Sequence, residues 1–202
     1  MIERHLKGQV EALNNLIRKI NLISLNKLLD DMELTIKNGR KIIATALGKN
    51  VPICEKFIGT LISVGIPGYF LHTNSAVHGD LGAIQDGDLI IMLTKSGETE
   101  ESVYLFEHLV KRNVKFWLLT YSPNSYLANK SPNKLVLYLE HEGDKWNLVP
   151  NNSSIGFLLI LQAIAMELID RLNINIEVFA KNHPGGYIGK VLQKISGGKD
   201  YV

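Results

Sequence analysis

A three-layer α/β fold, with a five-stranded parallel sheet between two layers of helices, is what this sequence predicts. Two patterns carry the prediction. Five short runs rich in branched and aromatic residues lie between positions 41 and 139, and segments of helical periodicity at 51–64 and 98–112 stand between them. The run Leu89-Ile90-Ile91-Met92-Leu93 is apolar at every position, not every second one, which is the signature of a strand covered on both faces. Strands that alternate with helices need crossover connections, so neighbouring strands run parallel. The order expected of such a five-stranded sheet is flavodoxin-like.

Along the chain the elements follow in turn. Residues 3–38 carry Leu13, Leu16, Ile17 and Ile20 at helical spacing and no proline, and read as one or two leading helices. After Asn38-Gly39 the strands are expected at 41–47, 67–72, 88–94, 114–120 and 134–139. A polar loop at 141–152 then opens a long helix reaching about Leu172, and a short tail closes near 191–195. The apolar stretch from Gly156 to Ile169 contains Gln162 and Glu167, and reads as too short for a bilayer and as a core or subunit-interface helix. No repeat, low-complexity tract or linker divides the chain, so 1–202 is expected to be one domain, with leading helices at 1–38 and an α/β core and closing tail at 39–195.

Composition narrows the function. A net charge of +2 from 22 basic and 20 acidic side chains gives no field that argues for nucleic acid. Cys54 is the sole cysteine, so neither an intramolecular disulfide nor a cysteine metal cage is expected, and its place in a helical segment reads as a core thiol. The charged N-terminus, Met-Ile-Glu-Arg-His-Leu-Lys-Gly, lacks a signal segment. A cytoplasmic protein without a membrane partner is the expectation.

Open parallel sheets bind ligands beyond the carboxyl ends of their strands. That edge gathers Lys49 after the first strand, His72 and His78 after the second, Thr94 to Glu101 after the third, and the loop from Glu142 to Ser154 after the fifth. Thr94-Lys95-Ser96-Gly97 joins a strand to a helix and offers two hydroxyls, a glycine and a helix N-terminus, the chemistry of a phosphate cradle. Pro150-Asn151-Asn152-Ser153-Ser154 places capping residues before another helix. Taken singly, these are also an ordinary serine cap, a redundant N-cap, a surface lysine and loop histidines. The spacing of His72 and His78 is not one of the helical zinc spacings.

Together the residues resemble the sugar isomerase (SIS) domain family and, within it, the arabinose-5-phosphate isomerases. The resemblance runs over 41–192 and is sharpest at Ala76-Val77-His78-Gly79-Asp80-Leu81-Gly82, Ser96-Gly97-Glu98 and Phe179-Ala180-Lys181-Asn182-His183-Pro184-Gly185-Gly186. It implies the SIS fold, catalytic roles for Lys49, His78, Glu101, Glu142 and His183, and no required cofactor. It also implies a position, His72, that binds a non-essential zinc in some relatives. Candidate substrate and phosphate contacts are Gly48, Asn50, Gly65, His72, Thr94, Ser96, Gly97, Asn152, Ser153 and Ser154. The implied reaction is interconversion of D-arabinose 5-phosphate and D-ribulose 5-phosphate through a cis-enediolate, with His183 or Glu101 as the carbon base, serving surface polysaccharide biosynthesis. The implied assembly is a homotetramer whose active sites borrow histidines from neighbours.

Two elements depart from the family pattern. Gly48-Lys49-Asn50-Val51 stands for Gly-Lys-Ser-Gly, and Pro150-Asn151-Asn152-Ser153 for Pro-Thr-Ser-Ser. They motivate two alternatives, an isomerase of another sugar phosphate and a non-catalytic sugar-phosphate sensor. Many relatives carry a C-terminal pair of CBS modules, and regulation through such modules is not expected of this chain, which stops at Val202.

Overall fold

Strand formation follows the apolar runs closely. In a computed structural model, which describes residues 2–195, the strands are β1 (Ile42–Ala46), β2 (Gly68–His72), β3 (Leu89–Leu93), β4 (Lys115–Thr120) and β5 (Lys134–Val136). All pair in parallel, in the order β2-β1-β3-β4-β5, as the sequence predicts. β1 and β3 are in register from Ile42 opposite Leu89 to Ala46 opposite Leu93, so both strands end at one edge.

Side chains on a strand alternate between faces, and here the alternation builds two cores. Leu89, Ile91 and Leu93 join Phe57, Leu61, Phe157, Leu161 and Leu168 on one face. Ile90 and Met92 join Leu105, Phe106, Leu109 and Leu127 on the other. The first core packs beneath α2 (Leu22–Lys37), α3 (Val51–Ser63) and α7 (Asn152–Arg171), and the second beneath α5 (Glu100–Leu109) and α6 (Tyr126–Lys130). Cys54 lies in the first core, where burial pushes its thiol pKa up.

α1 (Ile2–Lys19) leads the chain and buries only Leu16 among its residues. Two short helices, α4 (Thr73–Ala76) and α6, stand where the sequence shows no periodicity, because four or five residues are too few to display one. The chain closes through α8 (Ile176–Lys181) and α9 (Gly186–Ile195). α7 corrects one expectation: at 20 residues it has the length and hydropathy of a membrane span. It is nevertheless a core helix, with Phe157, Leu161, Ile164 and Leu168 buried against the first core.

Candidate active site

Three segments converge where β1, β3 and β5 end. β1 runs into a 3-10 turn, Gly48–Asn50, that leads directly into α3. β3 runs into Thr94-Lys95-Ser96-Gly97 before α5, and the loop after β5 arrives at α7. They enclose a cavity of about 280 Å³ lined by Gly48, Lys49, Asn50, Thr94, Lys95, Ser96, Thr99, Ser102, Pro150 and Ser153. Gly97 makes the turn possible. Its φ is +66°, and a Cβ there would collide with Ser125, while its N–H donates to Thr94 Oγ1 at 3.1 Å.

Helix N-termini give this cavity its electrostatic character. Elsewhere the first turns are closed by side chains: Asn21 caps α2, Ser125 caps α6 and Asn175 caps α8. At the cavity, Asn50 before α3 and Thr99 before α5 make no side-chain capping bond. At α3 the Val51 N–H is taken by Gly48 O and Pro52 has none, so it is the uncapped start of α5, flanked by Lys49 and Lys95 and by the hydroxyls of Thr94, Ser96 and Thr99, that favours an anion with several acceptor oxygens.

The third helix start, that of α7, is closed from a distance. Glu142 is fully buried, and its Oε2 accepts the N–H groups of Ser153 at 2.9 Å and Asn151 at 3.0 Å. Its Oε1 accepts Ser153 Oγ at 2.6 Å and Lys95 Nζ at 2.6 Å. Burial alone raises the pKa of this carboxyl, but the Lys95 ammonium, the Ser153 hydroxyl and the two N–H groups outweigh it and hold the group below the usual carboxylate value. Both carboxylate oxygens are thus engaged. The loop it anchors is dense in bonds: Asn152 Nδ2 donates to His141 O at 2.8 Å and Asn151 Nδ2 to Glu142 O at 2.8 Å. Asn152 therefore turns into the loop, and Ser154 Oγ is buried without a partner among the described residues. Neither lines the cavity, in contrast to Ser153.

A second depression, of about 880 Å³, lies on another side of the α5 first turn and is lined by Thr73, Asn74, His78, Glu98, Glu100, Glu101 and Tyr104, among others. Helical geometry separates the two: Thr99 and Ser102 face the first cavity, whereas Glu100, Glu101 and Tyr104 face the second. His78 and Glu101, predicted from distant segments, are brought together here by the packing of α4 on α5. Glu98 is engaged, its Oε1 accepting Tyr126 N–H at 2.7 Å.

His72 ends β2 and uses Nδ1 to accept the Asn74 N–H at 3.2 Å. Among the described residues no group of three or more His, Cys, Asp or Glu side chains is arranged for a metal.

Two predicted residues stand at the opposite edge of the sheet. α3 starts at the cavity and runs back to the amino ends of the strands, where Ile42 pairs with Gly68. Gly65 lies there, with φ +82° and its N–H on Ile62 O; a Cβ would come within 2.5 Å of Val178 on α8. It is a packing glycine and not a cavity residue, because the turn it makes ends α3 instead of beginning it. His183 follows α8, its Nδ1 2.8 Å from Phe179 O and its ring stacked on Phe179 at 4.0 Å. The preceding Asn182 donates to Ser63 O at 3.3 Å, at the far end of α3.

The cavity also contains Lys95, Thr99, Ser102 and Pro150, which were not among the predicted contacts. Lys95 had a visible signal, a cation between two hydroxyl residues at a strand end. Its pairing with Glu142 did not, since that residue comes from a loop 47 positions on.

Comparison with known proteins gives these features a context. A family profile described as SIS domain matches residues 35–166. An arabinose 5-phosphate isomerase of Salmonella typhi is 32% identical over 149 residues, covering 74% of this chain and 46% of its own length. An arabinose 5-phosphate isomerase of Escherichia coli is 31% identical over 191 residues, covering 95% of this chain and 58% of its own length. The chain spans about half the length of the curated relatives it matches. Among solved structures, an Escherichia coli CFT073 protein in complex with arabinose 5-phosphate superposes with a TM-score of 0.84 at 27% identity, over 91% of this chain and 95% of that one.

Proposed function

The chain belongs to the SIS domain family, and from that premise we propose that it is an aldose-ketose isomerase interconverting D-arabinose 5-phosphate and D-ribulose 5-phosphate. The observation that carries the proposal is the pairing of an anion cavity, with the uncapped start of α5 and two lysines, with an adjoining depression that holds His78 and Glu101. The names of the relatives and the ligand of the Escherichia coli neighbour support the same substrate.

The reaction moves a proton between C1 and C2 through a cis-enediolate while protons redistribute between O1 and O2. It needs a base over carbon, a proton shuttle at the oxygens and positive charge for the developing oxyanion. Ser96, Thr94, Thr99 and the first turn of α5 hold the phosphate, and its binding positions the sugar. Lys49, exposed at the cavity wall, stabilises the enediolate oxygen. Glu101 or His183 takes the carbon-bound proton, and His78 serves the oxygens. Glu142, with both oxygens engaged, acts as a positioning residue for Lys95 and α7. Protons alone are exchanged, so the proposed chemistry calls on no nicotinamide, flavin or metal.

His183 of the same chain stands at the other edge of the sheet, so the proposed active site takes this histidine from a neighbouring copy within a homotetramer. The proposed setting is the cytoplasm and the supply of an eight-carbon acidic sugar for surface polysaccharide.

Proton NMR in heavy water tests the proposal. The protein is expected to convert arabinose 5-phosphate to ribulose 5-phosphate, with deuterium entering at the transferred position as far as the enediolate proton exchanges with solvent. A folded protein that gives neither product nor exchange overturns it.

A further inference from the structure

Lys95 is built into the cavity more rigidly than a loop lysine would be. Its carbonyl accepts three donors, Ser122 Oγ at 2.9 Å, Thr120 Oγ1 at 3.1 Å and Tyr121 N–H at 3.3 Å, so the backbone beneath the side chain is fixed by β4 and the turn after it. The stem leads to Nζ, 2.6 Å from Glu142 Oε1. An ammonium has three N–H donors, and one partner leaves two. The side chain is 36% exposed, on a cavity it shares with the hydroxyls of Thr94, Ser96 and Thr99 and the start of α5.

Glu142 stands behind it as a buried counter-ion that cannot move far, since Ser153 and the Asn151 N–H hold it from the other side. The ammonium is therefore oriented before any ligand arrives, and its remaining donors belong to a side chain that lines the cavity beside the α5 N-terminus. Lys49 is arranged differently. It is exposed, and no carboxylate among the described residues lies within ion-pair distance of it. A charge that is constant through the reaction is best met by a fixed cation, and a charge that develops by one free to follow it.

We propose that Lys95 is a phosphate-binding residue, oriented by the buried Glu142 as its positioning residue, and that this ion pair sets the preference for phosphorylated over unphosphorylated sugars. The proposal rests on the isomerase reading for the identity of the sugar, but not for the anion.

Calorimetric titration of the full chain with inorganic phosphate, with arabinose 5-phosphate and with unphosphorylated arabinose is the test. Lys95→Met is expected to weaken both ligands by about 10- to 100-fold, the loss of a charge-assisted contact. Because Lys95→Met strands a buried carboxylate, the double variant Lys95→Met/Glu142→Gln is measured beside it and is expected to show the same loss. Lys95→Arg keeps a cation on Glu142 and is expected to recover affinity to within about fivefold; a merely structural lysine would not separate the ligands, so unphosphorylated arabinose should bind no differently to any variant. A folded Lys95 variant that binds inorganic phosphate within about twofold of the parent overturns the inference and leaves the isomerase reading standing. A parent protein that binds arabinose 5-phosphate without converting it overturns the isomerase reading and leaves Lys95 in place. A parent protein that binds neither ligand overturns both.

Discussion

Glu142 ties three things together at the scale of single residues: the start of α7, the hydroxyl of Ser153 and the ammonium of Lys95. Its folded-state pKa lies below the ordinary carboxylate value, so the folded protein binds this proton less readily than the unfolded chain. The stability it contributes is present above the unfolded glutamate pKa of about 4.3 and is lost as pH falls through the lower folded value. Thermal unfolding followed from pH 6 to pH 3 (roughly the span on either side of that pKa) is expected to show the parent losing stability steeply at the acid end. Glu142→Gln is expected to be less stable at neutral pH, by about 1–3 kcal/mol for disturbed buried acceptors, and to show a flatter acid limb. An acid limb of equal slope in both proteins would remove Glu142 from this role. Little of this was legible in the sequence. Thr94, Ser96, Lys49 and His78 announced themselves because each follows a strand end, whereas the contact between Lys95 and Glu142 depends on how the loop between β5 and α7 folds back, which no periodicity encodes.

Helices and strands differ in how plainly the sequence declared them. β1, β3 and β4 were legible to within a residue or two because short runs dominated by apolar residues, continuous in β3, have few other uses. β5 stops at Val136, short of the predicted 139, as an edge strand with a single neighbour. α5 begins at Glu100 and not at 98, because residues 96–99 are taken up by the turn over the cavity. That turn leaves α5 without a side-chain cap, a departure from local stability at the point proposed for the phosphate. Thr99→Asp makes the exchange measurable. A carboxylate at the N-cap is expected to stabilise the protein by about 0.5–1 kcal/mol while weakening inorganic phosphate at least tenfold by repulsion and occupation of the same N–H groups. Thermal unfolding and a phosphate titration of one variant check both signs, and tighter phosphate binding would refute the use of this helix start.

On the scale of the whole molecule, the parallel sheet sorts the predicted residues by edge. Lys49, His78, Thr94, Ser96, Glu101 and Ser153 reach the carboxyl edge, and His183 and Gly65 the amino edge. The histidine motif itself was legible in the sequence, but its distance from the lysine was not, because α3 spans the sheet between them and only the three-dimensional path reveals it. If one copy lends His183 to another, two inactive variants should repair each other. Lys49→Met and His183→Gln, each expected to lose at least 100-fold in turnover, are expected to regain activity when unfolded together and reassembled, since some mixed sites then hold both native residues. Mixtures no more active than their parents would place both residues in one chain's site. α3 has one further property: the molecule's single thiol, Cys54, lies on its buried side. A thiol-reactive label can reach it only when this helix lifts from the sheet. The rate of labelling is thus a clock for the opening of the helix that runs from the cavity to the far edge of the sheet, and it can be read without any assay of the reaction.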